Sequence, residues 1–198
     1  MKSILISIKP KYVAKILNGE KTIEIRKTMP KCELPIDVYI YCTKENKQRL
    51  YPVSLLDKSN QVFKQAYRED KIDNRTNYLN GKVVAKFTLD KVELIRPIAL
   101  GSFLITSTLE HKEILDKSCL TENEIRRYLT NMYGYAWHIS NLEIFDKPKE
   151  LSEFKIIKTY ICKNCPPKYQ YGVCLKDCKE TLSLTKAPQS FAYVEVEG

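Results

Sequence analysis

The stretch ILNGEKTIEIRKTMP, residues 16–30, changes its hydrophobic period in the middle, and that change decides the fold. Before it, Tyr12, Val13, Ile16 and Leu17 fall at helical spacing. Pro10 suits a first helical turn, where its missing N–H costs nothing. Gly19 supplies the left-handed residue that stops a helix. From Thr22 the period is two: Ile23 and Ile25 face one way, and Thr22, Glu24 and Arg26 the other. A helix therefore ends and a strand begins within a few residues, and the strand carries charge on one face. On an open face, Glu24 and Arg26 make an ordinary surface contact worth well under about 1 kcal/mol. On a cleft wall, Arg26 is a planar donor for a phosphate or base edge, and Lys21 is a second cation beside it. Glu24 then orients Arg26, accepts from a base amino group or serves as a general base.

Working outward, Ser3–Ile8 reads as a short buried strand and Pro35–Thr43 as an alternating one. Residues 44–80 are polar, without a clean period, and read as an insertion with a helix near Asn60–Tyr67. Asn80-Gly81 is a turn signal leading into KVVAKFTLDKVELIRP, one long strand or a pair. Thr121-Glu122-Asn123-Glu124 is a capping box, opening a helix expected to run to about Met132 and end at Gly134. YAWHISNLEIF, residues 135–145, and residues 191–197 are further strands. This order predicts a mixed α+β domain around an antiparallel sheet curled into an open barrel, since the helices are too few for a doubly wound parallel sheet.

The 198 residues fit a single domain spanning 1–198, with the 44–80 insertion and a small appendage over 155–183. Hydrophobic residues make up 43% and charged residues 29%, enough for a real core. The net charge of +9 favours polyanionic partners, nucleic acid first, against the plainer reading of a lysine-rich surface. The excess is concentrated: residues 1–31 hold eight basic and two acidic residues, a local +6. No segment approaches the roughly 20 apolar residues of a membrane span. The Ile4-Leu5-Ile6 run, broken by Ser7 and Lys9, is too short for a signal peptide. A cytoplasmic location is expected, with no membrane partner.

Seven cysteines in such a chain read as thiols or metal ligands rather than disulfides. Cys162, Cys165, Cys174 and Cys178 form C-x2-C-x8-C-x3-C, a spacing that suits tetrahedral structural zinc. Free thiols or one disulfide are the alternatives. Cys32, Cys42 and Cys119 read as isolated buried thiols. Trp137, the only tryptophan, is a core residue or a base-stacking platform. His138 is a hydrogen-bonded structural histidine or a ligand contact. Alternation puts these two on opposite faces, so at most one reaches a cleft directly. Ser7 and Lys9 share a polar side at the helix start, where free backbone amides favour an anion. Gln189, Ser190 and Tyr193 can complete a pocket with hydrogen bonds.

SIKPKYVAKILNGEKTIEIRK, residues 7–27, resembles the opening signature of ASCH domains, G-x-K-x-x-E-x-R entering the second strand. Its positions here are Gly19, Lys21, Glu24 and Arg26. GYAWHISNLEIFDKPKELSEF and KAPQSFAYVEVE resemble later blocks of the bacterial and phage branch. The likeness omits residues 44–78 and 155–183. It implies a PUA-like open β-barrel flanked by helices, a cleft beside the first helix, and RNA or a nucleoside as ligand. Some relatives are ribonucleases, and others are amidohydrolases acting on acetylated cytidine. Lys21 stands where the amidohydrolase lysine stands, whereas Glu24 stands where those enzymes carry a threonine nucleophile.

Three functional readings follow. The first is an RNA-binding module using Ser7, Lys9, Lys21, Glu24, Arg26, Trp137, His138, Gln189, Ser190 and Tyr193. The second is a hydrolase on RNA or modified nucleosides with Lys21 and Glu24 as its catalytic pair. The third is a phage-borne modulator that binds a host protein through the insertion and the cysteine appendage.

Overall fold

The computed structural model describes residues 2–56, 62–71, 78–98, 103–130, 133–159 and 179–196. The 44–80 insertion is thus described in part, and the four cysteines at 162–178 lie outside the described residues.

Strand β1 (Lys2–Ile8) is covered on both faces. Ile4, Ile6 and Ile8 enter the main core, and Leu5 enters a second cluster with Tyr39, Phe154 and Val194. Helix α1 (Pro10–Leu17) follows at once, with Pro10 in its first turn. It buries Val13, Ala14, Ile16 and Leu17. Gly19, at φ +76°, reverses the chain as the sequence requires. The amides of Glu20 and Lys21 both donate to the Lys15 carbonyl, at 2.9 and 3.1 Å, which fixes the start of the next segment against the helix end.

Strand β2 (Ile23–Arg26) then opens a four-stranded sheet. The remaining strands are β3 (Ile36–Cys42), β4 (Gln48–Leu56), β5 (Val62–Lys71), β6 (Val83–Leu89), β7 (Val92–Ile98), β8 (Phe103–Ile105), β9 (Gly134–His138), β10 (Ser140–Lys149), β11 (Phe154–Thr159), β12 (Lys179–Ser183) and β13 (Phe191–Val196). They build a seven-stranded sheet in the order β10-β6-β3-β1-β13-β11-β12, a four-stranded sheet β2-β9-β7-β8 and the hairpin β4-β5. Within the seven-stranded sheet β1 and β3 run parallel, and its other pairs are antiparallel. The sheets do not close into a barrel, and the fold is mixed α+β.

Helices α2 (His111–Ser118) and α3 (Glu122–Leu129) cover one face of the four-stranded sheet. Ile114, Ile125 and Leu129 pack there on Ile23, Ile25 and Ala136. The Thr121–Glu124 capping box forms as the sequence predicts.

Three local expectations are corrected. Helix α3 ends at Thr130, which takes the left-handed conformation at φ 55°, and Gly134 instead begins β9. The helix expected near Asn60–Tyr67 is replaced by strand β5, which pairs with β4 from Gln48↔Lys71 to Leu56↔Val62. The β5 sequence VFKQAYREDK has no period-two alternation, so no local period announces the strand. Asn18 fastens the hairpin to the end of α1, accepting from Tyr67 N at 2.9 Å and donating to Tyr67 O at 3.0 Å. Finally, the 135–145 run divides at Ile139, whose amide donates to Thr22 O. β9 belongs to the four-stranded sheet and β10 to the seven-stranded one.

Candidate nucleic-acid interface

Strand β2 has both faces covered, which alternation alone does not predict. Its isoleucine face meets α2 and α3, and its polar face lines a cleft of about 1010 Å³ between the two larger sheets. On that wall Lys21 is 2% exposed, Glu24 8% and Arg26 6%, so the three charges are not a solvated face. Lys21 Nζ donates to the Ser118 carbonyl at 2.7 Å and lies 3.1 Å from Glu24 Oε2. Arg26 Nη2 lies 3.1 Å from Glu24 Oε1 and donates to the Ser7 carbonyl at 2.9 Å. One carboxylate thus bridges two buried cations and leaves the group with one net positive charge. Arg26 Nε, also buried, has no acceptor among the described residues, which leaves a donor for water or a ligand.

Ser7, Lys9, Gln189 and Ser190 line the same cleft. Ser7 Oγ donates to Pro188 O at 2.6 Å and the Ser7 amide to Ser190 O at 3.0 Å, so β1 holds the loop before β13 in place. Across the opening, Glu124 Oε1 accepts from Lys11 Nζ at 3.2 Å and Tyr12 OH at 3.3 Å. The Thr121 amide, outweighing partial burial, and then Lys11 hold the Glu124 carboxyl down at about 2. Tyr12 is thereby a wall residue, with Lys21 Nζ 5.6 Å from its ring centre.

Three predicted contacts lie elsewhere. Trp137 sits opposite Glu24 in the β2–β9 register and so shares its face, but the indole is fully buried. It meets Phe191 edge-on at 5.2 Å, packed in the core without lining the cleft. His138 points to the other face, as alternation requires, and its Nε2 lies 2.6 Å from Glu93 Oε2. The Tyr193 hydroxyl accepts from the Lys31 amide, also away from the cleft lining. His111 contacts Glu122 at 3.5 Å, so the two histidines have separate partners.

Glu93 is a buried anchor that the sequence reading missed. Its Oε1 accepts from Thr106 Oγ1, Ser107 Oγ, Thr108 N and Thr108 Oγ1 at 2.7–3.0 Å. Burial pushes its carboxyl up, but the bonds from Ser107, Thr108, His138 and Thr106 together outweigh that and hold it well below the usual range. The cluster fastens the loop before α2 to the four-stranded sheet. Lys44, Tyr128 and Lys186 are also cleft residues that the sequence reading did not single out. The only local signals were the position of Lys44 just beyond β3 and of Lys186 at the start of KAPQSFAYVEVE.

Among the described residues no group of three or more His, Cys, Asp or Glu side chains could hold a metal. The described cysteines, Cys32, Cys42 and Cys119, form no disulfide; only Cys42 is buried as expected, the other two being half-buried, and burial pushes the Cys42 thiol strongly up.

Residues 6–93 match the family model of the ASCH domain. The chain carries an ASCH domain. Solved structures similar to it include ASCH from Zymomonas mobilis, 17% identical with a TM-score of 0.46, over 75% of this chain and 73% of that one. A single-residue variant of that protein is 15% identical with a TM-score of 0.45, over 76% of this chain and 77% of that one. No curated protein matches. The matched segment of the ASCH domain spans β2, and hence the Lys21–Glu24–Arg26 group, in a PUA-like α+β fold. No helix among the described residues is long and apolar enough to cross a membrane.

Proposed function

We propose that this chain binds RNA through the cleft beside α1 and β2. The observation that carries the reading is the buried Lys21–Glu24–Arg26 group on the cleft wall. Buried ion pairs are poor stabilisers, because losing water costs each ion several kcal/mol and well-packed apolar residues often do as well. Three such ions on the wall of a large concavity are therefore better explained by a ligand than by folding. The ASCH family is generally thought to bind RNA, and the net charge of +9 agrees with a polyanionic partner. A concave site also favours unpaired nucleotides, whose bases can splay into it, over a duplex read by shape. Fluorescence anisotropy with labelled single-stranded RNA tests this: saturable binding at low salt, weakened by Arg26→Gln, is expected. An absence of binding to mixed-sequence RNA at low salt sinks it.

One observation favours a second reading, a hydrolase acting on RNA or on acylated cytidine. Lys21 and Glu24 form an ammonium–carboxylate pair at 3.1 Å on the cleft wall, an arrangement suited to general acid–base work. Product formation that disappears in Glu24→Gln supports it, and a wild-type preparation without turnover on either substrate removes it.

A further inference from the structure

The cleft has an uncompensated cationic mouth, made by three lysines from separate parts of the chain. Ile8 and Cys42 are partners in the parallel β1–β3 register, and Thr43 N donates to Ile8 O at 2.9 Å. Lys9 and Lys44 therefore leave neighbouring strands at the same end of the sheet. On the other side of β1, the Ser7–Pro188 and Ser7–Ser190 hydrogen bonds hold the loop that carries Lys186. All three lysines are exposed and line the cleft.

Among the described residues three carboxylates line the cleft too, and each is already neutralised. Glu24 lies between Lys21 and Arg26, Glu124 pairs with Lys11, and Glu150 pairs with Lys82. Lys9, Lys44 and Lys186 have no such partner among the described residues. Apart from the one net positive charge of the buried Lys21–Glu24–Arg26 group, the free charge of the cleft is concentrated where β1 and β3 end and α1 begins, and the α1 dipole adds to it there. The inner wall differs. Its Glu24 carboxylate is held between Lys21 and Arg26, and base amino groups and ribose hydroxyls can use Glu24, Ser7, Gln189 and Ser190 as partners.

The geometry points to a division of this site, with Lys9, Lys44 and Lys186 taking phosphates at the mouth and the Glu24 wall taking base and sugar. The ligand class is then nucleotides that carry phosphate, in a strand or free, rather than nucleosides. This assignment rests on the RNA-binding reading above.

The experiment measures affinity against salt for a labelled single strand of about ten nucleotides, a length within the range of single-strand site sizes. Three proteins are compared: wild type, Lys9→Gln/Lys44→Gln/Lys186→Gln, and the remote triple Lys112→Gln/Lys117→Gln/Lys147→Gln. Each phosphate contact on a single strand contributes about 0.7 to the log–log slope. The mouth triple should lose about 2 from that slope, equivalent to roughly 20-fold in the affinity change between 50 and 200 mM salt. The remote triple should keep the wild-type slope. Nucleoside monophosphates should displace the strand at concentrations at least about tenfold below those needed for nucleosides, the ratio for one good charge-assisted contact. If wild type binds RNA but the mouth triple keeps its slope, the remote triple loses as much, or nucleosides compete equally, the phosphate assignment falls and RNA binding stands. If wild type binds no RNA at low salt, both fall.

Discussion

Removing the Glu24 charge is the most direct probe of the cleft wall. Glu24→Gln keeps the side-chain volume and deletes the anion between Lys21 and Arg26, whose side chains are 1% and 7% exposed. At 3.1 Å each pair contributes roughly 5 kcal/mol of gross attraction at an effective dielectric of about 20. In the native protein most of this offsets the desolvation of three ions. In the variant the attraction goes and the desolvation of two cations remains, so a loss of about 3–5 kcal/mol is expected. The apolar replacement Lys21→Met/Glu24→Leu/Arg26→Met removes the charges together with their desolvation cost. It leaves the Ser118 and Ser7 carbonyls without these donors, a cost of about 1–3 kcal/mol each. The triple variant should therefore lie within about 2 kcal/mol of wild type, since complete replacement of buried ions often gains about 1–4 kcal/mol. Urea unfolding at neutral pH measures both, with an unchanged denaturant slope showing that the same surface is exposed. RNA anisotropy on the same samples should show binding weakened in the triple variant despite retained stability. A Glu24→Gln protein within about 1 kcal/mol of wild type would refute the electrostatic reasoning. A triple variant that still binds RNA like wild type would refute the buried group as part of the binding surface.

Glu93→Gln should cost about 3 kcal/mol at neutral pH, because one carboxylate satisfies several donors and bonds to a charged acceptor are worth about 1.5–3 kcal/mol each without adding fully. The folded-state carboxyl is held below its ordinary value near 4.3, so its contribution is complete above that pH and is lost as pH falls below it. The gap between wild type and variant in urea unfolding should then shrink below about pH 4, and a constant gap would count against the mechanism. Trp137, being fully buried, should resist iodide quenching equally with and without RNA; protection that appears only with RNA would restore it as a stacking platform. The four cysteines at 162–178 are expected to hold about one zinc per chain, and chelation should open new protease sites between Ile161 and Leu182 while the sheets stay folded. Metal-free protein with an unchanged digest excludes that site.

The strand–helix–strand opening was legible because helical and strand periods are local, and so are the capping box at Thr121 and the turn at Gly19. So was the sharing of one face by Glu24 and Arg26. The end of α3 was not, because Thr130 adopts a left-handed conformation that glycine usually supplies, while Gly134 is in a strand. Strand β5 was missed because its polar sequence, VFKQAYREDK, lacks the period-two alternation that marks a strand. Trp137 falls on the same face as Glu24, yet alternation does not say whether a face is covered, and Phe191 from the far end of the chain helps to cover this one. The sequence by itself determined which side chains on β2 point together and that positive charge gathers near the N-terminus. Only the tertiary structure decided that Lys21, Glu24 and Arg26 are buried together, and that Lys9, Lys44 and Lys186 share one mouth. Both depend on pairings between residues distant in sequence, the parallel β1–β3 register and the Ser7 contacts to the 188–190 loop, whereas periodicity reports only on neighbours within a few positions.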